Sequence, residues 1–327
     1  MNSRTLGFGK LYPFRPSRSA PAEPPASRSV ANTGGSVAST RSVFAQISDL
    51  FKLRIGFVMM LTAVVAMLAT PGPKLSLWET SILALAILVA SAAAGAFNQY
   101  YETDLDARMR RTRNRPFVTG VFHKSPAWLL LIMGLLAVSV AAAAYFLNGA
   151  AALYIFLGAF FYAIVYTVWL KRRTWMNIVI GGASGGFAVL AGAAAIDPAL
   201  GPVPILLALV LFFWTPSHFW SLAIAQRKEY AAAGIPMLPV VAGDLAAAKT
   251  VLANTVVLVS LSVMPFFYGL GWIYLIGAVS GGGYFIYRNI KMIRDPSPKM
   301  AMGSFFASFL QLSLLLVGTV LDVCLGS

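Results

Sequence analysis

About nine apolar runs, each close to the length that crosses a bilayer's hydrocarbon core, leave this chain few ways to fold. They lie near Ile55 to Thr70, Leu77 to Phe97, Trp128 to Leu147, Leu153 to Leu170, Ile178 to Ile196, Ile205 to Ala225, Thr250 to Leu270, Trp272 to Tyr287 and Met300 to Leu321. Backbone in hydrocarbon has no water to bond, so runs of this kind predict helices. With 58% hydrophobic and 11% charged residues and a mean hydropathy of +0.76, the composition predicts an all-α polytopic membrane protein and excludes a soluble one. The expected architecture is about nine transmembrane helices around a central cavity opening to the cytoplasmic side. The breaks PGP, NG, DPALGPVP and GLG fall on one side of these runs, and charged segments fall on the other.

Charge placement sets the orientation. All of the 25 Lys and Arg residues except Lys74 lie on one side of the predicted spans, which the positive-inside rule makes cytoplasmic. Of the 11 acids only Glu79, Asp197 and Asp322 lie opposite, so the chemistry also faces inward. The formal net charge of +14 does not imply nucleic acid, because the basic residues sit in short loops and form no continuous stripe. Cys324 is the only cysteine, which excludes an internal disulfide and gives zinc or redox chemistry no foothold.

Residues 1–45 are rich in Ser, Pro, Ala and Arg with a single acid, Glu23, and predict a disordered basic tail ahead of one membrane domain over 46–327. The tail is similar in composition to a mitochondrial presequence, but its Pro and Gly break any amphipathic helix. A bacterial inner membrane, with amino terminus and site cytoplasmic, is therefore the expected location; a mitochondrial inner membrane facing the matrix is the alternative.

The candidate site is the stretch NQYYETDLDARMRRTRNRP, Asn98 to Pro116, where the second apolar run meets water. Asn98, Glu102 and Asp106 stand i, i+4, i+8, which on a continuing helix stacks their oxygens on one face about 6 Å per step. Such a ladder of hard oxygens suits magnesium, which takes one or two carboxylates together with water and phosphate oxygens. Arg108, Arg110, Arg111, Arg113 and Arg115 can neutralise what remains of a diphosphate. Topology alone accounts for the arginines but not for a one-face acidic ladder. Asp104 lies off that face.

A second polar centre lies in the sixth run, FFWTPSHFWSLAIAQRKEY. Pro216 interrupts the helical bonding, and His218, about seven residues deep, is an ionisable group at membrane depth. Arg227, Lys228 and Glu229 end the run with two more cations and another oxygen ligand. Lys171, Arg172 and Arg173 end the fourth, and Lys52 and Arg54 stand at the mouth of the first. The glycines from Gly181 to Gly186 let the fifth helix approach a neighbour or a flat ligand closely.

At these residues the chain resembles the UbiA-type intramembrane prenyltransferases, in the branch that farnesylates protohaem IX. The likeness rests on NQYYETDLDARMRRTRNRPFVTG, on YTVWLKRRT (Tyr166 to Thr174) and on TPSHFWSLAI with EYAAAGIPMLPV (Thr215 to Val240), and it covers essentially everything after the tail. Ser217 stands where that branch often has a second proline, GGFAVLAG (Gly185 to Gly192) departs from a proline-containing stretch with Gly-Trp, and Glu102 and Glu229 stand where aspartate is frequent.

The resemblance implies transfer of farnesyl from farnesyl diphosphate to a vinyl group of haem B, giving haem O and pyrophosphate. It implies Mg2+ held by Asn98, Glu102, Asp106 and Glu229, with Asp104 a further candidate. Diphosphate contacts are implied for Lys52, Arg54, Arg108, Arg111, Arg115, Lys171, Arg172, Arg227 and Lys228. Tyr100, Tyr101, Tyr166, His218 and Trp220 become candidate contacts to haem or the prenyl cation. Expected partners are membrane lipid and, downstream, a haem A synthase or oxidase assembly factors, with no nucleic acid. Two other readings share these features: a related prenyltransferase with a phenolic or quinone acceptor, and a non-catalytic transporter of anionic lipid.

Overall fold

Proline, glycine and capping side chains decide where the helices start and stop. The structure, a computed structural model, describes residues 42–326, and no strand occurs among them. All but the last four residues of the predicted tail therefore lie outside the described residues. The chain opens with α1 (Val43–Leu50), whose cap Ser42 accepts from the Ala45 amide, and α2 (Leu53–Ala69). The two are bent by 57° at Phe51 and Lys52, and Lys52 adopts the left-handed conformation with φ 48°. After the PGP turn, Ser76 and Glu79 cap each other's backbone and start α3 (Leu77–Tyr101).

Short helices α4 (Thr103–Arg108) and α5 (Pro116–Thr119) occupy the inner loop before α6 (Pro126–Phe146). Asn148 starts α7 (Gly149–Phe160) by accepting from the Ala151 backbone amide at its side-chain Oδ1, while its side-chain Nδ2 donates to the carbonyl of Ala194 at 2.8 Å. That single residue ties one helix's start to another's end. The next stretch, Phe161–Leu170, continues α7 as a π-helix. Then come α8 (Asn177–Gly181), α9 (Ala183–Ala194), α10 (Pro202–Ala225), α11 (Arg227–Ala232) and α12 (Leu238–Ala242). Finally α13 (Asp244–Val263) runs into a 3-10 turn at Met264–Tyr268, and α14 (Trp272–Arg294) and α15 (Pro298–Leu325) complete the fold.

Among the described residues seven helices are long and apolar enough to cross a membrane, and the bent pair α1–α2 makes an eighth. The expected count of nine is not reached. Its missing member is α14, which at 23 residues is about 34 Å long and so has the length, but whose glycines, tyrosines and basic end leave it less apolar than the rest.

Neighbours in sequence pack as neighbours in space, and α15 returns to α2, so the helices close on themselves. Small residues make this possible where α2 meets α9. A Cβ on Gly192 would lie 1.9 Å from the carbonyl oxygen of Ala63, so the two backbones touch directly. Leu130, Met133 and Val138 on α6 are all exposed by two thirds or so and present hydrocarbon to hydrocarbon.

The second half of the ring hides a polar network. Asn289 on α14 donates to Thr255 on α13 at 2.8 Å and accepts from Ser304 on α15. Thr255 bonds Ser217 on α10 at 2.9 Å, and Ser304 bonds Ser221 at 2.9 Å. Asn254 donates to Ser217 and to the carbonyl of Phe213, one turn before Pro216, where α10 continues without the break that the sequence predicts. Interhelical bonds of this sort contribute about 0.6 kcal/mol each, so the network matters for which helices pair more than for total stability.

Candidate functional site

The first polar stretch does stack its oxygens. At Glu102 the backbone leaves ideal helix (φ −95°, ψ 18°), yet the Glu102 amide still bonds the Asn98 carbonyl at 3.0 Å and the Asp106 amide bonds the Glu102 carbonyl at 2.9 Å. Asn98, Glu102 and Asp106 are therefore successive rungs across the α3–α4 join, each no more than 3% exposed. Thr112 donates to the carbonyl of Asp106 at 3.0 Å and folds the arginine loop back over it.

Every carboxylate here carries its own cation. Lys171 donates to Glu102 Oε2, and Arg115 to Asp106 Oδ2 at 2.6 Å. Lys52, swung inward by the bend at α1–α2, donates to Asn98 Oδ1 and to the Tyr162 hydroxyl at 2.9 Å. The charges of Glu102, Asp106, Arg115 and Lys171 all act on Lys52, and the same four act on Tyr162. One electrostatic pocket thus joins α2, α3, α4, the α5 loop and the π-helix.

The π-helix aims the far wall. Its i+5 bonding, seen in the Lys171 amide on the Tyr166 carbonyl at 2.9 Å, puts Tyr162, Tyr166, Thr167 and Lys171 on one side. The rings of Tyr162 and Tyr166 stack with centroids 5.5 Å apart, under the ammoniums of Lys52 and Lys171 at 5.4 and 5.6 Å. Gly181 supports them, because a Cβ there would come within 2.8 Å of the Tyr166 ring.

Other expected site residues are placed elsewhere. Asp104 is exposed on the opposite side and takes both Arg172 nitrogens, at 2.8 and 2.7 Å. Arg172 holds the Asp104 carboxyl below the usual carboxylate range. Tyr101 is exposed beneath the same guanidinium and stacks on Phe97, while Tyr100 packs against Phe117 under Lys124. Arg108, Arg111 and Lys228 are exposed and make no ion pair among the described residues, though the Arg111 charge acts on Tyr166. Arg54 lines a groove of about 470 Å³ with Leu53, Phe57 and Leu88, outside the pocket.

The end of α10 stands beside the pocket without bonding to it. Arg227 pairs with Asp244 at 3.0 Å. Glu229 belongs to α11, whose Tyr230 shares an apolar cluster with Leu105 and Met109 of the first motif and acts electrostatically on Tyr166. Trp220, 3% exposed, lies in the same cluster. His218 is 5% exposed, with Trp214 and Phe305 stacked on it at 4.2 and 4.3 Å and Nδ1 bonded to Ser308 Oγ at 2.7 Å. Only Nε2 is left for another group.

Tyr162 and Thr167 belong to the site and were not singled out from sequence. The signal was present: Tyr162, Tyr166, Thr167 and Lys171 carry polar atoms in the last turns of an apolar span and just past it, but α-helical spacing does not put all four on one face.

The donor set fits a hard cation in company. Among the described residues no three His, Cys, Asp or Glu side chains are gathered closely enough to hold a metal alone. Yet Glu102 Oε1 and Glu229 Oε2 are buried without a hydrogen-bond partner, an arrangement that costs about 1–3 kcal/mol per group unless something fills it. Carboxylate and amide oxygens with vacant lone pairs suit magnesium when phosphate oxygens and water complete its shell.

A ring of membrane-spanning helices with buried carboxylates matched by cations from neighbouring helices defines a polytopic membrane protein with a charged site built between its spans. The chain belongs to the UbiA prenyltransferase family, whose sequence model matches residues 59–313. Among its relatives, protoheme IX farnesyltransferase 2 of Paramagnetospirillum magneticum is 54% identical over 280 residues, 86% of this chain and 97% of that protein. Protoheme IX farnesyltransferase 1 of the same organism is 44% identical over 280 residues, 85% and 98% of the two chains. The solved structure of a UbiA homolog from Archaeoglobus fulgidus bound to DMAPP and Mg2+ shares the fold at TM-score 0.62 and 19% identity, covering 84% of this chain and 99% of that one.

Proposed function

We propose that this protein transfers the farnesyl group of farnesyl diphosphate to a vinyl group of haem B, forming haem O and pyrophosphate. The observation that carries the reading is the 54% identity, across nearly the whole membrane domain, to a protoheme IX farnesyltransferase. The pocket supplies what such a reaction needs. Lys52, Lys171 and Arg115 are already gathered around buried oxygens and neutralise the diphosphate as the C1–oxygen bond breaks and pyrophosphate leaves with the electron pair. Arg108, Arg111, Arg172, Arg227 and Lys228, free or paired at the rim, add to the field that draws the anion in. Mg2+ would be held by Asn98, Glu102, Asp106 and Glu229, and when bound would neutralise charge building on the departing oxygens.

The stacked Tyr162 and Tyr166 rings offer π-faces to the allylic cation. The vinyl group then attacks farnesyl C1, and water adds a hydroxyl to the second cation with loss of a proton. His218, its Nδ1 committed to Ser308, offers Nε2 to the haem side. We place the protein in a bacterial inner membrane with the pocket facing the cytoplasm, or in a mitochondrial inner membrane facing the matrix, and expect a haem A synthase or oxidase assembly factor to receive the product.

The test is direct. Purified protein given farnesyl diphosphate, Mg2+ and either haem B or 4-hydroxybenzoate should make a farnesylated haem and release pyrophosphate. Product from the phenol alone rejects the acceptor assignment, and binding without pyrophosphate release points to a transporter. Asp106→Asn should lose at least about 100-fold in turnover per folded molecule, the scale of removing one preorganised stabilising group, and because it leaves Arg115 without its buried partner its thermal unfolding is measured alongside.

A further inference from the structure

Within that reading, on which this inference rests, Asn98 contributes an amide whose two ends are chemically opposite, and only the oxygen can serve a cation. Something must fix which end faces the pocket. Three partners surround the side chain. Lys52 can only donate and takes Oδ1, while the carboxylate of Glu102 can only accept and takes Nδ2 at 2.8 Å. Both of these belong to the machinery that a bound diphosphate and its cation would rearrange, so neither can hold the amide throughout a reaction.

The third partner is Thr167, which is fully buried and accepts from Asn98 Nδ2 at 3.0 Å. A hydroxyl can usually donate or accept, and would tolerate either amide orientation. This one cannot. Its proton is given to the carbonyl of Tyr162 at 2.8 Å, five residues back, a bond that the π-helical register makes available. With the proton committed, Thr167 Oγ1 is left as a pure acceptor and must face the NH2 end of Asn98.

We infer that Thr167 is a positioning residue: through Asn98 it keeps Oδ1 turned toward Lys52 and the pocket, ready for a divalent cation whether or not Lys52 and Glu102 have moved to other partners. The π-helix is part of the device, since it sets the Tyr162 carbonyl opposite the hydroxyl.

The experiment reads cation binding apart from turnover. Mn2+ affinity of the detergent-solubilised full chain is measured by electron paramagnetic resonance in the presence of a non-hydrolysable farnesyl diphosphate analogue. Thr167→Val, close in shape but without an acceptor, should weaken Mn2+ binding by about tenfold or more, the scale seen for residues that orient metal ligands, and Thr167→Ser should recover it to within about threefold. In an Asn98→Ala background Thr167→Val should cost nothing further. Thr167→Ala repeats the comparison should the valine variant misfold. Wild-type-like Mn2+ binding in the acceptor-less variants, a serine that rescues nothing, or an undiminished loss in the Asn98→Ala background would each overturn the role while leaving the prenyltransferase reading intact. A wild-type chain that binds no Mn2+ with the analogue would defeat both.

Discussion

Glu102 is fully buried and its charge is balanced by Lys171. Taking away the cation alone leaves an uncompensated buried charge, which typically costs about 3–5 kcal/mol, whereas replacing both partners by neutral groups is often nearly neutral. Lys171→Met should therefore unfold at a markedly lower temperature than wild type, and Lys171→Met with Glu102→Gln should recover most of the loss while remaining inactive. Thermal unfolding in detergent checks both, and a double variant no more stable than the single one would mean that the pair is not coupled. At this scale the sequence was legible where charge stands out against hydrocarbon: Asn98, Glu102 and Asp106 lie on successive turns as their spacing implies, and Lys171, placed by its charge at the end of the fourth run, meets Glu102. It misled at Arg54 and Tyr101, which share the same short segments but point outward, because position in a charged loop says nothing of facing, whereas Asp104, off the ladder face by its spacing, is exposed in keeping with it. It was silent on Tyr162 and Thr167, whose neighbours in sequence are apolar and whose partners lie 110 and 69 residues away.

Elements carry information that a residue-by-residue reading misses. The bend before α2 and the π-helical end of α7 are both departures from regular helix, and each delivers a lysine to one rung of the ladder, Lys52 to Asn98 and Lys171 to Glu102. Apolar periodicity cannot announce either, since a run of Leu, Val and Ala looks alike in α and π register. The polar network of α10, α13, α14 and α15 was likewise hidden, as single Ser, Thr and Asn residues inside long apolar runs. Asn289 is its hinge, serving Thr255 and Ser304 at once. Asn289→Leu removes two such bonds and should lower stability by about 1 kcal/mol, with turnover per folded molecule unchanged. Unfolding midpoints together with specific activity would show it; a large loss of activity in the folded fraction would instead give the network a part in the chemistry. Ser217 belongs here too: it bonds Asn254 and Thr255, so a proline at that position would remove a link between α10 and α13.

Across the whole molecule, hydropathy and charge asymmetry were enough for the class, the boundaries of most spans and the side on which the pocket lies relative to the loops. Of the nine expected spans α14 alone falls short on hydropathy, because it trades apolar residues for glycines that let it meet α15: a Cβ on Gly277 would stand 2.7 Å from the Leu314 carbonyl. The orientation itself is open to measurement. In a cell, a cysteine at Lys74 should react with a membrane-impermeant thiol reagent added from outside, and one at Lys124 only after the membrane is breached; Cys324 is exposed near the far end of α15 and is first changed to serine. The reverse labelling pattern would invert the topology and move the pocket to the other compartment.

A pocket that brings its own counter-ions has no need to wait for a ligand before it can be assembled. Newly made chains can enter the lipid and close around Glu102 and Asp106 in a cell short of isoprenoid, since each anion is already matched from within. Abundance of the folded protein should then be independent of how much prenyl donor the cell holds, and supply of that donor would govern only how fast the existing molecules work.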